Sequence, residues 1–299
     1  PKGPNSISNL LHVLLRFRSK PYIVIADLSK AYNTVKTSEL DAHLRRFLWF
    51  TDDSDALKTF SLQRMHFGDT PRGYYLECCK EEISNYTRET LNEPVLAEKL
   101  LSDTYVDDIC ITTNDEKEAK LFASKLPIAF GALGFNLKTP GPILIGPGIK
   151  QGEDKVPEPL LGHLFYFASD EIQIQIKVNF SKKRRGQKTM PNLTSSSILD
   201  SIPVTKRNIL SLLASQYDPL GLASPFLVKL KIFQSKLFRN PNYTEWDTPV
   251  NEEDKKEGLK LIRELILASE SSLKFPRSNK PQNFNLEKIV VFSDGSVSA

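Results

Sequence analysis

The sequence predicts an α+β fold: an antiparallel β-sheet with helices on one face, followed by a mainly helical region. Three observations lead to this prediction. The apolar run Tyr22–Ala26 ends in Asp27 and is typical of a buried strand. Around residues 101–113, two apolar stretches flank the acidic pair Asp107-Asp108, which is the outline of a β-hairpin. After residue 200, the apolar spacing is mostly helical.

The other elements of the first half follow from apolar periodicity and from helix boundary signals. Helices are predicted within residues 1–20, where apolar residues recur from Leu10 to Phe17, and over residues 37–50 and 73–85. Pro21 ends the first of these. After the hairpin, Asn114 is the predicted N-cap of a further helix, because Asp115 and Glu116 then lie in the first turn, where the helix dipole favours negative charge.

In the second half, residues 139–160 are rich in proline and glycine and are predicted to form a linker or long loop. The alternation from Ile172 to Ile176 predicts a second hairpin within residues 161–180. The predicted helices cover residues 205–217, a segment with Ser224 as N-cap and Pro225 at its first position, and residues 251–270. Residues 288–294 are predicted to form a strand that ends in Asp294.

Composition excludes several classes of protein. With 40% hydrophobic and 25% charged residues, the chain is neither disordered nor fibrous. No apolar run approaches the roughly 18 residues of a membrane span, so we expect no membrane partner. Three cysteines without Cys-x-x-Cys spacing favour a reducing compartment over a disulfide scaffold. A net charge of +4 permits a polyanionic partner. Because the chain begins at Pro1, we expect a piece of a longer protein.

The acidic residues of the strand and the hairpin carry the predicted chemistry. Two carboxylates about 4 Å apart repel each other by about 4 kcal/mol at an effective dielectric near 20, so a cluster of them usually binds a cation or shares a proton. Asp27, Asp107 and Asp108 are therefore predicted to bind two Mg²⁺ ions, or Mn²⁺, for displacement at phosphorus. Because successive strand residues face opposite sides, we expect Asp107 to be the direct ligand and Asp108 to assist. The alternative is a surface turn.

Longer motifs make this interpretation more specific. The tetrapeptide Tyr105-Val106-Asp107-Asp108 between two apolar strands resembles the Tyr-x-Asp-Asp hairpin of reverse transcriptases. Residues 26–32 are similar to the first metal-binding motif of that family. The resemblance implies that Tyr32, five residues after Asp27, is a gate against ribose 2′-hydroxyl groups; the alternative is a core tyrosine.

Further segments narrow the resemblance to the polymerase of Bel/Pao-type LTR retrotransposons, from Gly3 to the end of the chain. These segments are residues 46–49, 67–71, 212–222 and 246–247. The resemblance implies an RNA-directed DNA polymerase, a nucleotidyltransferase that acts on a primer 3′-hydroxyl. Its partners would be an RNA template, a DNA primer, dNTPs and other parts of the Pol polyprotein, in a cytoplasmic virus-like particle or the nucleus. The alternative from another class is a decayed or repurposed fragment that binds nucleic acid without catalysis.

The resemblance also implies a domain order. Residues 1–150 would form a palm with partial fingers, residues 151–200 a hairpin and basic linker, residues 201–285 a helical thumb or connection region, and residues 286–299 the start of a truncated ribonuclease H domain. Asp294 would be the first metal-binding residue of that domain. Because only about 20 residues precede the first strand, the triphosphate-gripping fingers hairpin is expected to be missing, and the piece to be weak or inactive alone.

Three more features are candidate binding residues. Gly68 would let the backbone approach a template or nucleotide closely, or it is an ordinary turn glycine. The resemblance implies that Lys138 lies near the incoming triphosphate, unless it is a solvated strand-end lysine. The basic run would contact phosphates or serve as a nuclear signal, with a solvated loop as the alternative. This run consists of Lys182, Lys183, Arg184 and Arg185.

Overall fold

The computed structural model describes residues 3–51, 54–149, 157–178, 203–271 and 273–278. The predicted α+β class with antiparallel sheets is confirmed for these residues. The chain divides into two compact units, whose main segments are Pro1–Gly152 and Glu153–Arg277. No described helix combines the length and the apolar character that a bilayer crossing requires.

The first unit contains six helices and seven strands among the described residues. The helices are α1 (Leu10–Phe17), α2 (Ala31–Thr34), α3 (Glu39–Ala42), α4 (Arg72–Glu89), α5 (Pro94–Ser102) and α6 (Glu116–Ala132). The strands are β1 (Tyr22–Ser29), β2 (Arg46–Thr51), β3 (Ser54–Ser61), β4 (Thr104–Tyr105), β5 (Asp108–Thr113), β6 (Asn136–Leu137) and β7 (Ile143–Ile145).

Strand β1 is the centre of the main sheet. It pairs antiparallel with β5 on one side and with β6 and β7 on the other, and β4 extends the sheet beyond β5. Its residues Ile23–Ala26 are buried, as expected for a strand covered on both faces. The predicted loop at 139–160 therefore contains a strand of this sheet, β7, which the proline-rich composition did not reveal.

Helices cover both faces of this sheet, so the prediction of helices on one face only is wrong. Residues of α4, α5 and α6 pack in one core against Val24 and Ile111. Thr112 points to the opposite face from Ile111, and its hydroxyl donates a hydrogen bond to the carbonyl oxygen of Arg16 in α1 at 3.2 Å. The first helix thus covers the other face.

The prediction of a helix over residues 37–50 is correct only near its start and wrong after Ala42. Helix α3 ends at Ala42, a 3₁₀ turn covers His43–Arg45, and β2 begins at Arg46. The aromatic residues that follow favour a strand, and they find a partner in β3. An apolar run of this length does not distinguish the two structures by itself.

Two predicted caps shift by one residue. Asp115, not Asn114, is the N-cap of α6, because its side chain accepts a hydrogen bond from the backbone N–H of Lys117 at 2.7 Å. In the second unit, the N-cap of the helix around 224 is Ala223, and Ser224 is the first helical residue. Each helix exists as predicted, and only its boundary moves.

The second unit combines a sheet with three helices among its described residues. Its strands are β8 (Glu158–Leu160), β9 (His163–Tyr166), β10 (Glu171–Gln173) and β11 (Lys274–Pro276), and its helices are α7 (Lys206–Ser215), α8 (Ser224–Arg239) and α9 (Glu252–Ser271). Strands β9 and β10 form the hairpin predicted within 161–180. Ile174 packs in one core with the three helices.

The core that supports β1 generates a stability prediction. Phe122 of α6 is 1% exposed, whereas its neighbour Leu121 is 38% exposed. We expect Phe122→Ala to lower the free energy of unfolding by about 3–5 kcal/mol, because it leaves a cavity in the core. Leu121→Ala, the matched control, should change it by no more than about 0.5 kcal/mol. Urea denaturation followed by circular dichroism measures both, and equal losses would contradict this assignment of the core.

Candidate active site

The pairing of β1 with β5 brings the predicted acidic residues together. Asp27 lies directly opposite Asp108 in the register, so their side chains share one face of the sheet. Asp107 lies in the turn between β4 and β5, and its carbonyl oxygen accepts a hydrogen bond from the backbone N–H of Leu28 at 3.4 Å. The turn is tight because Val106 adopts a left-handed conformation with φ of 55°.

Lys138 completes this group. Its backbone N–H donates to the carbonyl oxygen of Asp27 at 2.8 Å, directly after β6 has paired with the end of β1. Its ammonium nitrogen lies 2.5 Å from Oδ2 of Asp27. The other carboxylate oxygen of Asp27, Oδ1, is buried and has no hydrogen-bond partner among the described residues. One oxygen of this carboxylate is therefore paired with a cation, and the other is a buried acceptor without a partner among the described residues.

Electrostatic effects connect Lys138 with all three carboxylates. The hydrogen bond to Asp27 raises the pKa of the Lys138 ammonium; the negative charges of Asp27, Asp107 and Asp108 add to this rise, while burial opposes it. Burial raises the pKa of Asp107, and the charge of Asp27 raises it further, against the opposing effects of Lys138 and Lys80. The carboxylates therefore lie close enough for their charges to interact.

A buried ion pair on α4 also acts on this site, and the sequence analysis missed it. Lys80 is 1% exposed, and its Nζ lies 2.7 Å from Oε1 of Glu77, one helical turn away, without hydrogen-bond geometry. Burial lowers the pKa of Lys80 and raises that of Glu77. A charged pair at i and i+3 on a helix normally predicts an exposed face, so only the tertiary structure identifies it.

Tyr32 lies on α2, which begins two residues after the end of β1. The sequence analysis predicted that this tyrosine lies close to the carboxylates. Its ring contacts that of Phe67 edge-on, with centroids 6.1 Å apart, and the Arg72 guanidinium lies 5.5 Å from its centroid. Burial raises the pKa of Tyr32, the Arg72 charge opposes this rise, and the Asp107 charge adds to it. Tyr32 is thus a half-buried ring at the edge of the site, with Arg72 as a neighbour that the sequence analysis did not identify.

Gly68 lies in the turn that follows Phe67. Its φ of 109° is a conformation that favours glycine, and no atom lies within 4 Å of the position that a Cβ would take. The turn therefore explains why glycine occupies this position, and the space beside it is open. Its proposed role next to a template or nucleotide stays a prediction.

The arrangement fits a hydrated cation better than a closed metal cage. Within the described ranges, no three His, Cys, Asp or Glu side chains form a preformed metal-binding group. Mg²⁺ requires only one or two protein carboxylates and takes its other ligands from water and substrate phosphates. The unpartnered Oδ1 of Asp27, beside two further carboxylates, meets that requirement.

The remaining site residues of the sequence analysis lie outside the described residues. These are Lys182, Lys183, Arg184, Arg185 and Asp294. Their roles in nucleic-acid binding and in a ribonuclease H site stay predictions.

The comparisons with known proteins concern the C-terminal part of the chain. The family model described as Pao retrotransposon-like RNaseH-like domain matches residues 205–299. No curated protein matches the chain. The matched range begins at the N-cap of α7, includes the three helices of the second unit and contains Asp294. The match supports a Pol fragment of a Pao retrotransposon, and it does not extend to the carboxylates of the first unit.

The raised pKa of Asp107 generates a prediction on pH and stability. A carboxyl with a raised pKa is more easily protonated in the folded state, so its ionisation lowers stability above that pKa. We expect Asp107→Asn to increase the free energy of unfolding at pH 7, and this gain to disappear as the pH falls below the ordinary range of aspartate.

Asp103→Asn is the control for this experiment. Asp103 is 1% exposed and pairs with Arg16 at 2.8 Å, so the loss of its charge should lower stability at pH 7. Urea unfolding at several pH values measures both variants. A loss of stability in Asp107→Asn at pH 7 would contradict the assignment of Asp107 to a repulsive cluster.

Proposed function

We propose that the chain is the polymerase part of a retrotransposon Pol polyprotein, an RNA-directed DNA polymerase that transfers nucleotides to a primer 3′-hydroxyl with two Mg²⁺ ions. The observation that carries this proposal is that the pairing of β1 with β5 places Asp27 directly opposite Asp108 and next to Asp107. The motifs around these residues resemble those of reverse transcriptases at the same positions. The first unit would then be the palm, and the helices of the second unit a thumb or connection region.

Asp27, Asp107 and Asp108 are the residues that would hold Mg²⁺. The ions, when bound, would activate the primer hydroxyl and neutralise the charge of the leaving pyrophosphate. The free Oδ1 of Asp27 supports its role as a ligand. Mn²⁺ takes similar oxygen ligands and is a suitable substitute.

Lys138 and Tyr32 have separate roles in this proposal. The Lys138 ammonium, held by Asp27 and 55% exposed, can also contact the phosphates of an incoming dNTP. Tyr32 would exclude a 2′-hydroxyl by steric contact. The Arg72 guanidinium over its ring supports this role because it restricts the motion of the ring.

The partners follow from the same proposal: an RNA template, a DNA primer, dNTPs and the remaining parts of the Pol polyprotein. Asp294 would belong to a ribonuclease H domain, for which the family match over residues 205–299 gives support. The basic run Lys182–Arg185 would contact the phosphates of the duplex. The site of action would be a cytoplasmic virus-like particle or the nucleus.

A second candidate function is binding of nucleic acid without catalysis, by a decayed or repurposed fragment. The observation that favours it is that the Lys138 ammonium contacts Oδ2 of Asp27, where a catalytic cation would otherwise bind. Catalysis separates the two functions, because only the polymerase needs the carboxylates.

The polymerase proposal predicts loss of primer extension in carboxylate variants of the parent Pol polyprotein. Asp27→Asn and Asp107→Asn should each lower Mg²⁺-dependent extension by at least about 100-fold, since ligand loss removes several kcal/mol of charge stabilisation. Asp115→Asn, the same change at an exposed N-cap, should keep the wild-type rate because asparagine also caps helices. Extension that survives both site substitutions would overturn the proposal.

The gate role of Tyr32 predicts a change in sugar selectivity. Tyr32→Val should raise the incorporation of ribonucleotides relative to deoxyribonucleotides by about 10- to 200-fold, because it opens space for the 2′-hydroxyl. Tyr75→Val, an exposed tyrosine on α4, is the control and should leave selectivity unchanged. Competition between rNTP and dNTP in primer extension measures the ratio, and an unchanged ratio in Tyr32→Val assigns that ring to the core.

A further inference from the structure

The hairpin formed by β2 and β3 is a separate two-stranded sheet with exposed apolar side chains on both faces. Its register pairs Phe47 with Phe60 and Trp49 with Lys58. A two-stranded sheet is marginally stable alone, and a soluble protein rarely exposes an apolar patch of this kind without a binding role. The hairpin is therefore a candidate interaction surface.

One face of the hairpin carries three aromatic rings and a cation. Phe47, Trp49, Lys58 and Phe60 share this face because paired residues point to the same side. The rings of Phe47 and Phe60 stack, with centroids 5.8 Å apart and planes inclined by 27°. Trp49 is 63% exposed, the largest exposed fraction among these aromatic residues. We call these four residues the aromatic face.

The opposite face has a different character. It carries Arg46, Leu48, Phe50, Leu57 and Thr59, with one ring where the aromatic face has three. Three rings, two of them stacked, offer more surface to flat π-systems than one ring among aliphatic side chains does. The two faces therefore differ in the ligand that they suit.

Cations surround the base of the hairpin. Lys36 forms an isolated β-bridge with Arg64, which places two like charges directly opposite each other. Within the described segments, these two residues, Arg46 and Lys58 form no ion pair with a carboxylate. Such a pairing of like charges is unfavourable alone and becomes favourable beside a polyanion.

We propose that the aromatic face of the hairpin binds single-stranded nucleic acid, with bases stacked on Phe47, Trp49 and Phe60 and the phosphates directed toward Lys58 and the cations at the hairpin base. Stacking on exposed rings beside a positive surface is how proteins bind single strands without sequence preference. In the sequence, three acidic residues, Asp52, Asp53 and Asp55, lie between Phe50 and Leu57, so negative charge is concentrated away from Lys36 and Arg64. We therefore expect the phosphates of the nucleic acid to lie on the side of Lys36 and Arg64.

The inference rests on the proposed function only for the kind of partner, because a polymerase requires a single-stranded template. None of its residues belongs to the carboxylate site. Binding to the hairpin therefore needs neither Mg²⁺ nor dNTP, and it can be measured when extension is absent. Failure of one proposal is thus distinguishable from failure of the other.

The experiment uses tryptophan fluorescence of the full chain. The sequence has two tryptophans, and Trp246→Phe leaves Trp49 as the sole reporter. With EDTA present, oligo(dT) of about 16 nucleotides should quench Trp49 saturably. A blunt duplex of equal length should not, because its bases are already stacked. Within this background, Phe47→Ala should weaken binding by about 5- to 150-fold.

Leu48→Ala is the matched control on the opposite face, and it should leave the affinity for oligo(dT) unchanged. The logarithm of the affinity falls as the logarithm of the salt concentration rises, and Lys58→Ala should make this slope less negative by about 0.7 to 1. All these side chains are exposed, so the fold should persist, and circular dichroism checks this.

Two outcomes would overturn the proposal. The first is Trp49 fluorescence that does not respond to oligo(dT). The second is equal weakening by Phe47→Ala and Leu48→Ala together with concentration-dependent self-association in sedimentation, which would assign the hairpin to contact between copies of the chain. Asp107→Asn should quench like the unsubstituted chain, because it does not touch the hairpin. Quenching by the unsubstituted chain together with no primer extension by the unsubstituted Pol polyprotein would leave this inference standing and count against the polymerase.

Discussion

Repulsion between Asp27, at the end of β1, and Asp107, in the turn before β5, is the constraint on which the first unit depends. Each pair of such charges at about 4 Å and an effective dielectric near 20 costs about 4 kcal/mol. The structure offsets this cost with Lys138, which contacts Asp27, and with Lys80, whose charge acts on Asp107 from α4. The apolar core formed by the sheet with α4, α5 and α6 fixes the backbone that holds the charges in place.

The position of these carboxylates could be predicted from the sequence because it depends on short, strongly patterned strands. An apolar run ending in Asp27 and an acidic pair between two apolar stretches define the geometry almost completely. The division of roles between Asp107 and Asp108 could not be predicted in the same way. Strand alternation assumes regular backbone, whereas Val106 has a positive φ, and Asp108 rather than Asp107 lies opposite Asp27.

Other features required the tertiary structure. The run from Phe47 to Phe50 fits a helix or a strand equally well, and only its pairing with β3 decides between them. Glu77 and Lys80 follow the pattern of a solvated helix face, yet both are buried beneath the site. Phe67 and Arg72 contact the ring of Tyr32, although they lie 35 or more residues away from it in the sequence. A local sequence pattern contains no information on such contacts. Local sequence patterns therefore predicted where the candidate carboxylates lie, whereas the residues that surround them depend on tertiary packing.

In the proposed polymerase, the carboxylates of the first unit would share a divalent cation, and Lys138 would contact Asp27 when that cation is absent. Anomalous diffraction from crystals of the chain soaked in Mn²⁺ is the decisive measurement. We expect a Mn²⁺ peak at coordination distance, about 2.1 Å, from Asp27 and from Asp107 or Asp108, with the Lys138 ammonium displaced from Oδ2. Crystals at saturating Mn²⁺ that keep the Lys138–Asp27 contact and show no such peak would contradict this proposal.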